Sequence, residues 1–156
     1  MHRFAALASL CLLAACSHYQ APYGSDTAEV TFTSNNVTGQ PAVCDDQGKL
    51  RDTRRALAAV PFEAGVFHEI NQSLGKDDAV TVSVPAGDAL TLGVRHGKRT
   101  RGTTDFRCRE ALRFTPRPGE HYQVHFMLDS NVCGIGVTTA DGGPVDDARR
   151  VDWSCP

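Results

Sequence analysis

The sequence predicts a mainly β protein, a single antiparallel β-sandwich with two disulfides, and three observations predict it. Apolar and polar residues alternate in short segments throughout residues 27–156, which is the pattern of strands that bury one face. Turn-forming Gly, Pro and Asp separate these segments about every dozen residues, as they do in sandwiches. Beyond the N-terminal region there is an even number of cysteines, which predicts a disulfide framework in an exported chain.

Length and composition limit the classes of protein that remain. The chain has 156 residues, of which 41% are hydrophobic and 22% charged. This usage is ordinary for globular proteins and predicts one domain with a real core. The formal net charge of −2 argues against a globally basic protein that binds nucleic acid.

The N-terminus has the form of a secretory signal. Arg3 precedes an apolar stretch, Phe4 to Ala15, which is too short to be a spanning helix. The stretch ends in Leu13-Ala14-Ala15-Cys16, which resembles the lipobox of bacterial lipoproteins. In that family the signal is cleaved before the cysteine, whose thiol carries a diacylglyceryl lipid. The resemblance implies a signal peptide over residues 1–15 and lipidation at Cys16.

The residues after the lipidation site indicate where the domain is held. Ser17, rather than Asp, follows the cysteine, and in lipoproteins this implies the outer membrane of a Gram-negative cell, with the domain facing the periplasm. Two or three acyl chains anchor a protein stably. Residues 16–26 contain Pro, Gly and Ser without an apolar period, so we expect a flexible tether before a domain that spans residues 27–156.

The strands can be assigned in order along the chain. Residues 27–33 and 79–84 each place their apolar side chains on one face. The turn residues 85–88 follow the second strand, and apolar residues alternate again over 90–94. We therefore expect 79–84 and 90–94 to form a hairpin.

A second group of strands follows the same logic. Leu112 and Phe114 mark a short strand, Pro and Gly residues over 115–119 end it, and alternation over 122–128 is the most regular in the chain. The run F-x-P-x-x-G-x-x-Y from Phe114 to Tyr122 resembles small immunoglobulin-like or transthyretin-like periplasmic domains. This resemblance implies a fold only, because such domains have many functions.

Residues 45–75 are ambiguous between helix and strand. The composition of 49–60 favours a helix that Pro61 would end. Apolar residues then recur every four positions over 62–74, which permits a short helix. Strand remains the alternative for both segments, and we expect one short helix in this region.

The hairpin expected at the C-terminus predicts the disulfide pairing. Residues 132–139 and 149–155 both alternate, and turn residues lie between them. A hairpin centred on residue 144 would place Cys133 opposite Cys155, at a separation that a disulfide tolerates. Cys44 would then pair with Cys108 by elimination. No two of these four cysteines have the C-x-x-C spacing of a redox or zinc site.

Sequence motifs give little support for an enzyme or a metal site. His121 and His125 are four residues apart on a predicted strand, a separation of roughly 13 Å, so one metal ion would need further ligands. No G-x-S-x-G elbow occurs, and the adjacent aspartates lie in turn-like segments. We expect a non-enzymatic protein that needs no cofactor or metal.

A basic patch is the most distinctive charge feature of the domain. Eight Arg or Lys residues and only two acidic residues lie between positions 95 and 117. Arginine binds carboxylate and phosphate in a two-pronged manner, so the patch is a potential binding surface for anions; the alternative is a solvated loop in an Arg-rich protein. Its members are Arg95, Lys98, Arg99, Arg101, Arg107, Arg109, Arg113 and Arg117.

These observations together predict a function class. We expect a structural or interaction module that is anchored to a membrane by its lipid and contacts an envelope protein or an anionic glycolipid. The alternative is an inhibitor or immunity-type lipoprotein that blocks a periplasmic enzyme or toxin. A nucleic-acid partner is not expected.

Overall fold

The computed structural model describes residues 18–24, 26–59, 65–98 and 106–156. The described chain is mainly β, with one helix of nine residues. In those residues no helix is long and apolar enough to cross a membrane. The elements are β1 (Thr27–Ser34), β2 (Gln40–Cys44), β3 (Leu50–Asp52), β4 (Ala56–Leu57), α1 (Gly65–Ser73), β5 (Lys76–Asp77), β6 (Val80–Pro85), β7 (Leu90–Lys98), β8 (Phe106–Phe114), β9 (His121–Asp129), β10 (Val132–Thr139) and β11 (Arg149–Val151).

The strands form two larger sheets and one small one. The four-stranded sheet has the order β10-β9-β1-β6, and the five-stranded sheet has the order β11-β8-β7-β2-β3. Within the four-stranded sheet, β1 runs antiparallel to β6 and parallel to β9. Strands β4 and β5 pair separately in a parallel ladder.

One hydrophobic cluster contains side chains from both larger sheets. Phe32 and Phe126 come from the four-stranded sheet, and Leu92 and Leu112 come from the five-stranded sheet. All four side chains are almost fully buried. The faces predicted by alternation are therefore confirmed for β1 and β9, where the buried positions recur every second residue. In β7 the predicted residues Leu90, Leu92 and Val94 are buried, but Thr91 and Gly93 between them are buried as well.

Both hairpins predicted from turn residues are wrong. Strand β6 pairs with β1, whereas β7 pairs with β2 and β8, so the turn over 85–88 carries the chain from one sheet to the other. Likewise β10 pairs with β9 and β11 with β8. Strand β10 instead forms a hairpin with β9 through a two-residue loop at Ser130 and Asn131, both with positive φ. Such a loop has the twist that hairpins favour, and it lets all eight residues of β10 pair.

The disulfide pairing predicted from the C-terminal hairpin is also wrong. The bonds are Cys44–Cys155 and Cys108–Cys133, with Cα separations of 5.8 and 6.4 Å. Because β10 and β11 belong to different sheets, Cys133 does not face Cys155. Cys133 instead reaches Cys108 of β8 and links the two sheets, while Cys155 ties the C-terminus to β2.

The ambiguous region contains both kinds of element. The helix favoured by the composition of 49–60 does not form, and the alternative of strand is right for this segment, because β3 and β4 lie there. Thr53 shows why pairing outweighs helix propensity: it is buried, its backbone N–H donates to the carbonyl of Pro41, and its hydroxyl donates to the carbonyl of Arg55. The short helix expected from the four-residue period is confirmed as α1, and residues 60–64 before it lie outside the described residues.

The segment expected to be a free tether lies partly against the domain. His18 forms a β-bridge with Asp52 at the β3 edge of the five-stranded sheet. The backbone N–H of Tyr19 donates to the carbonyl of Asp52 (2.7 Å), and its hydroxyl donates to the carbonyl of Ser83 on β6 (3.1 Å). Tyr19 therefore connects the edge strands of both larger sheets, and burial raises its pKa to about 12. The predicted signal peptide over 1–15 and the lipidation site Cys16 lie outside the described residues.

Candidate functional site: an arginine-rich sheet face

Basic residues are distributed very unequally between the two larger sheets. The strands of the five-stranded sheet contain eight Lys or Arg residues and two acidic ones. The strands of the four-stranded sheet contain no Lys or Arg and two acidic residues. A protein of nearly neutral net charge therefore has one strongly positive sheet.

Alternation and register place five of these arginines on one side of the five-stranded sheet. The buried residues Leu92, Val94 and Leu112 occupy the opposite side, and neighbours in a strand point to opposite faces. Cross-strand partners share a face, which extends the assignment from β7 and β8 to β11. We call this surface the arginine face, and its members are Arg95, Arg107, Arg109, Arg113 and Arg149.

Like charges lie directly opposite each other on the arginine face. Arg95 is the Cα partner of Arg109, and Arg113 is the Cα partner of Arg149. Directly opposed like charges destabilise a sheet, with cross-strand pairs contributing roughly 0.2–1 kcal/mol. The two opposed pairs therefore concentrate positive charge on this face, and only the charge of Arg95 is offset by Asp52 among the outward strand residues.

The arginine face has few carboxylates to neutralise it. Ala42 is the Cα partner of both Asp52 and Gly93, so register places Asp52 on the arginine face. It is the one acidic residue at the outward positions of the five strands. Its carboxylate pairs with a guanidinium nitrogen of Arg95. Arg113 instead donates from Nε to the hydroxyl of the buried Thr91 (2.9 Å).

A groove of about 360 Å³ opens along the arginine face beside β4 and β5. Its basic lining consists of Lys76, Arg95, Arg107 and Arg109, and none of the described residues that line it is Asp or Glu. Hydroxyl and amide groups are contributed by neighbouring residues such as Thr38 and Gln40. A groove lined by four basic side chains suits a phosphate or carboxylate group.

Trp153 covers the centre of the arginine face. A Cβ atom at Gly93 would lie 2.7 Å from its six-membered ring, 2.4 Å from the carbonyl oxygen of Glu110 and 3.1 Å from Cα of Ala111. The glycine is therefore needed for the close approach of the tryptophan to β7. Trp153 also lines a smaller groove of about 260 Å³ with Arg95 and Arg109, so the two grooves share two arginines.

The structure brings together only part of the basic patch that the sequence predicts between positions 95 and 117. Arg95, Arg107, Arg109 and Arg113 lie on the arginine face. Arg117 lies in the turn after β8, where its backbone N–H donates to the hydroxyl of Tyr122.

The rest of the predicted patch cannot be placed on this face. Lys98 is the last residue of β7, and Arg99 and Arg101 lie outside the described residues. Arg149 and Lys76 were missed because they are distant in sequence and join the surface only through β11–β8 pairing and the position of β5.

The other residues considered for chemistry have structural partners. His121 lies 3.1 Å from Glu29, and His125 lies 2.9 Å from the hydroxyl of Thr33, all on the outer side of the four-stranded sheet. Among the described residues, no three His, Cys, Asp or Glu side chains are grouped as metal ligands. Asp45 accepts hydrogen bonds from Arg51 and from backbone N–H groups, which lower its pKa.

A further sequence motif includes Lys76, which lines the larger groove. Ser73 and Lys76 have the S-x-x-K spacing of some acyl-transfer enzymes. Ser73 is the last residue of α1, and its hydroxyl donates to the carbonyl of Ile70 (2.7 Å). Gly75 then has a positive φ and Lys76 begins β5, so the two side chains are not one turn apart on a helix.

No known protein family matches this sequence, and no curated protein is significantly similar to it.

Proposed function

We propose that this protein is a non-enzymatic envelope lipoprotein that is anchored through Cys16 and binds anionic partners with its arginine face. The segregation of charge between the two larger sheets carries the proposal. Such a one-sided field concentrates anions and steers them to the surface. The lipobox resemblance supports the anchor, and Ser17 supports the periplasmic side of the outer membrane.

We also propose that the two larger sheets form a β-sandwich of the immunoglobulin-like or transthyretin-like type. The shared hydrophobic cluster supports this arrangement. The hydroxyl of Tyr122 accepts a hydrogen bond from the backbone N–H of Arg117 (3.0 Å), five residues upstream, which resembles the tyrosine corner of immunoglobulin-like domains. The ring of Tyr122 also packs edge-on against Phe114, with 4.9 Å between centroids.

Replacement of the acceptor cysteine tests the anchor. Cells of a Gram-negative host that express the full chain are labelled with radioactive palmitate and then fractionated. We expect the wild-type chain and a Cys11→Ala control, altered within the signal, to be labelled and to sediment with outer membranes. Cys16→Ala should lose the label and either remain unprocessed or become unanchored. Labelling and membrane retention of Cys16→Ala would refute lipidation.

Capture of partners tests the binding role. The native lipoprotein, purified from solubilised envelopes, is compared with an Arg107→Ser/Arg109→Ser variant. We expect anionic glycolipid or an acidic envelope protein to co-purify with the wild type and to be depleted in the variant, more strongly at low salt. Stoichiometric recovery of a periplasmic hydrolase or toxin, insensitive to the two substitutions, would favour the inhibitor class instead.

A further inference from the structure

The docked N-terminal segment determines where the lipid anchor leaves the domain. Tyr19 is held by one hydrogen bond to each larger sheet, and its side chain packs against the hydrophobic cluster. His18 extends the β3 edge by one further bridge. We define His18 and Tyr19 with these contacts as the N-terminal latch.

The latch leaves very little chain between the domain and the proposed lipid. Cys16 precedes His18 by two residues, and an extended chain spans at most about 7 Å over that length. A free tether over 16–26 would instead have a root-mean-square span of roughly 18 Å. The β3 edge must therefore lie close to the headgroup layer when Cys16 is lipidated.

The arginine face begins at this same edge. The backbone carbonyl of Asp52 accepts a hydrogen bond from the backbone N–H of Tyr19, and the carboxylate of Asp52 pairs with Arg95. Strands are spaced about 4.8 Å apart, so β7 and β8 lie roughly 10 and 14 Å from β3. These distances are within about two Debye lengths at physiological salt.

Only one of the two larger sheets has the charge to bind a membrane. The outer side of the four-stranded sheet presents Glu29, His121 and hydroxyl groups, and its strands contain no Lys or Arg. The outward strand positions of the five-stranded sheet hold five arginines and one carboxylate, that of Asp52. Basic residues near an anionic leaflet each strengthen binding roughly fivefold.

We infer that the N-terminal latch lays the arginine face on anionic phospholipid headgroups of the membrane that holds the anchor. The groove lined by Lys76, Arg95, Arg107 and Arg109 receives headgroup phosphates. The four-stranded sheet then faces away from the membrane. This orientation rests on the proposed anchor position at Cys16 and adds the ligand class and the direction in which the domain is held.

Trp153 provides a reporter for the orientation, because it is the only tryptophan in the chain and lies on the arginine face. The mature chain, residues 16–156, is coupled through the Cys16 thiol to a maleimide lipid in vesicles. The other four cysteines are in disulfides and do not react. Quenching of tryptophan fluorescence by a headgroup spin label measures how near the reporter lies to the membrane.

A matched variant moves the reporter to the other sheet. In Trp153→Phe/Gln123→Trp, the tryptophan replaces an exposed residue of β9 on the outer side of the four-stranded sheet. On vesicles with phosphatidylglycerol, we expect Trp153 to be quenched at least twofold more than this control. Equal quenching, or stronger quenching of the control, would overturn the proposal.

Two further variants separate the latch from the charges. Tyr19→Ser should release the anchor segment and reduce the quenching difference while circular dichroism at the assay temperature shows that the sheets remain folded. Arg107→Ser/Arg109→Ser should reduce the difference with the latch intact. A difference that survives both changes, or that persists on neutral vesicles, would also contradict the inference. An acidic protein that binds the arginine face while the quenching difference is absent would assign the face to a protein partner.

Chemical coupling makes this test independent of lipidation in the cell. A failure of Cys16→Ala to lose palmitate would remove the proposed anchor without changing the vesicle result. Conversely, equal quenching of the two reporters would remove the orientation and leave lipidation at Cys16 standing.

Discussion

Substitution of Gly93 by alanine should destabilise the domain through one specific steric conflict. The new methyl group would lie 2.4 Å from the carbonyl oxygen of Glu110 and 2.7 Å from the ring of Trp153. The first contact is with the backbone of the paired strand, so it can be relieved only by moving β8 or β7. Overpacking of this kind costs about 1–3 kcal/mol, and alanine recovers about 0.4–1 kcal/mol through the unfolded chain. We expect a net loss of about 1–2 kcal/mol.

Gly136 offers a matched control in the other large sheet. It lies in β10, and a Cβ atom built there meets no atom within 4 Å. Gly136→Ala should therefore be neutral or stabilising by up to about 1 kcal/mol. Urea unfolding of both variants measures the difference, and the Gly93→Ala midpoint in a thermal scan should fall by about 4–8 °C. Equal stability of the two variants would refute the packing of Trp153 against Gly93.

The remaining predictions concern the covalent framework and the latch. Replacing Cys44 and Cys155 by Ser should lower the free energy of unfolding more than replacing Cys108 and Cys133, because the closed loops span 111 and 25 residues. Loop entropy gives losses of about 4.8 and about 3.5 kcal/mol, which urea unfolding measures. Non-reducing peptide mapping that linked Cys133 to Cys155 would contradict the pairing. Burial raises the pKa of Tyr19 from 10.0 to about 12, so latch docking should be fully present below pH 10 and lost as the pH rises towards about 12. Tyrosinate absorbance should show a late-titrating component that Tyr19→Phe removes, and an unchanged titration curve in Tyr19→Phe would contradict docking.

The sequence predicts which residues are buried much better than which strands pair. Alternation places Val30 and Val124 inside because the side-chain direction reverses at every strand residue, which is a local property. Pairing depends on competition among all strands. The loop at Ser130 and Asn131 lacks the Asn-Gly signature of tight hairpins, yet it has the positive φ values that such a hairpin requires. A local reading of turn residues therefore selected the wrong partner for β10.

The arginine face shows the same limit for a site. Arg107, Arg109 and Arg113 share one strand, and their common direction follows from their spacing in the sequence. Arg149 joins them only because β11 pairs with β8, and Lys76 only because the groove reaches β5. The opposed arginine pairs and the position of Asp52 beside Arg95 depend on register, which a sequence of alternating residues does not specify alone.

The sequence by itself determined that the described chain is mainly β, which faces its strands bury, that four cysteines form two disulfides and where a basic segment lies. Each of these follows from composition or from spacing along a single strand. The tertiary structure decided the sheet order, the disulfide partners and the docking of Tyr19 between two sheet edges. These are contacts between residues that are far apart in the chain. Which of them form depends on the free energies of all the alternative pairings, and spacing along a single strand does not specify that competition.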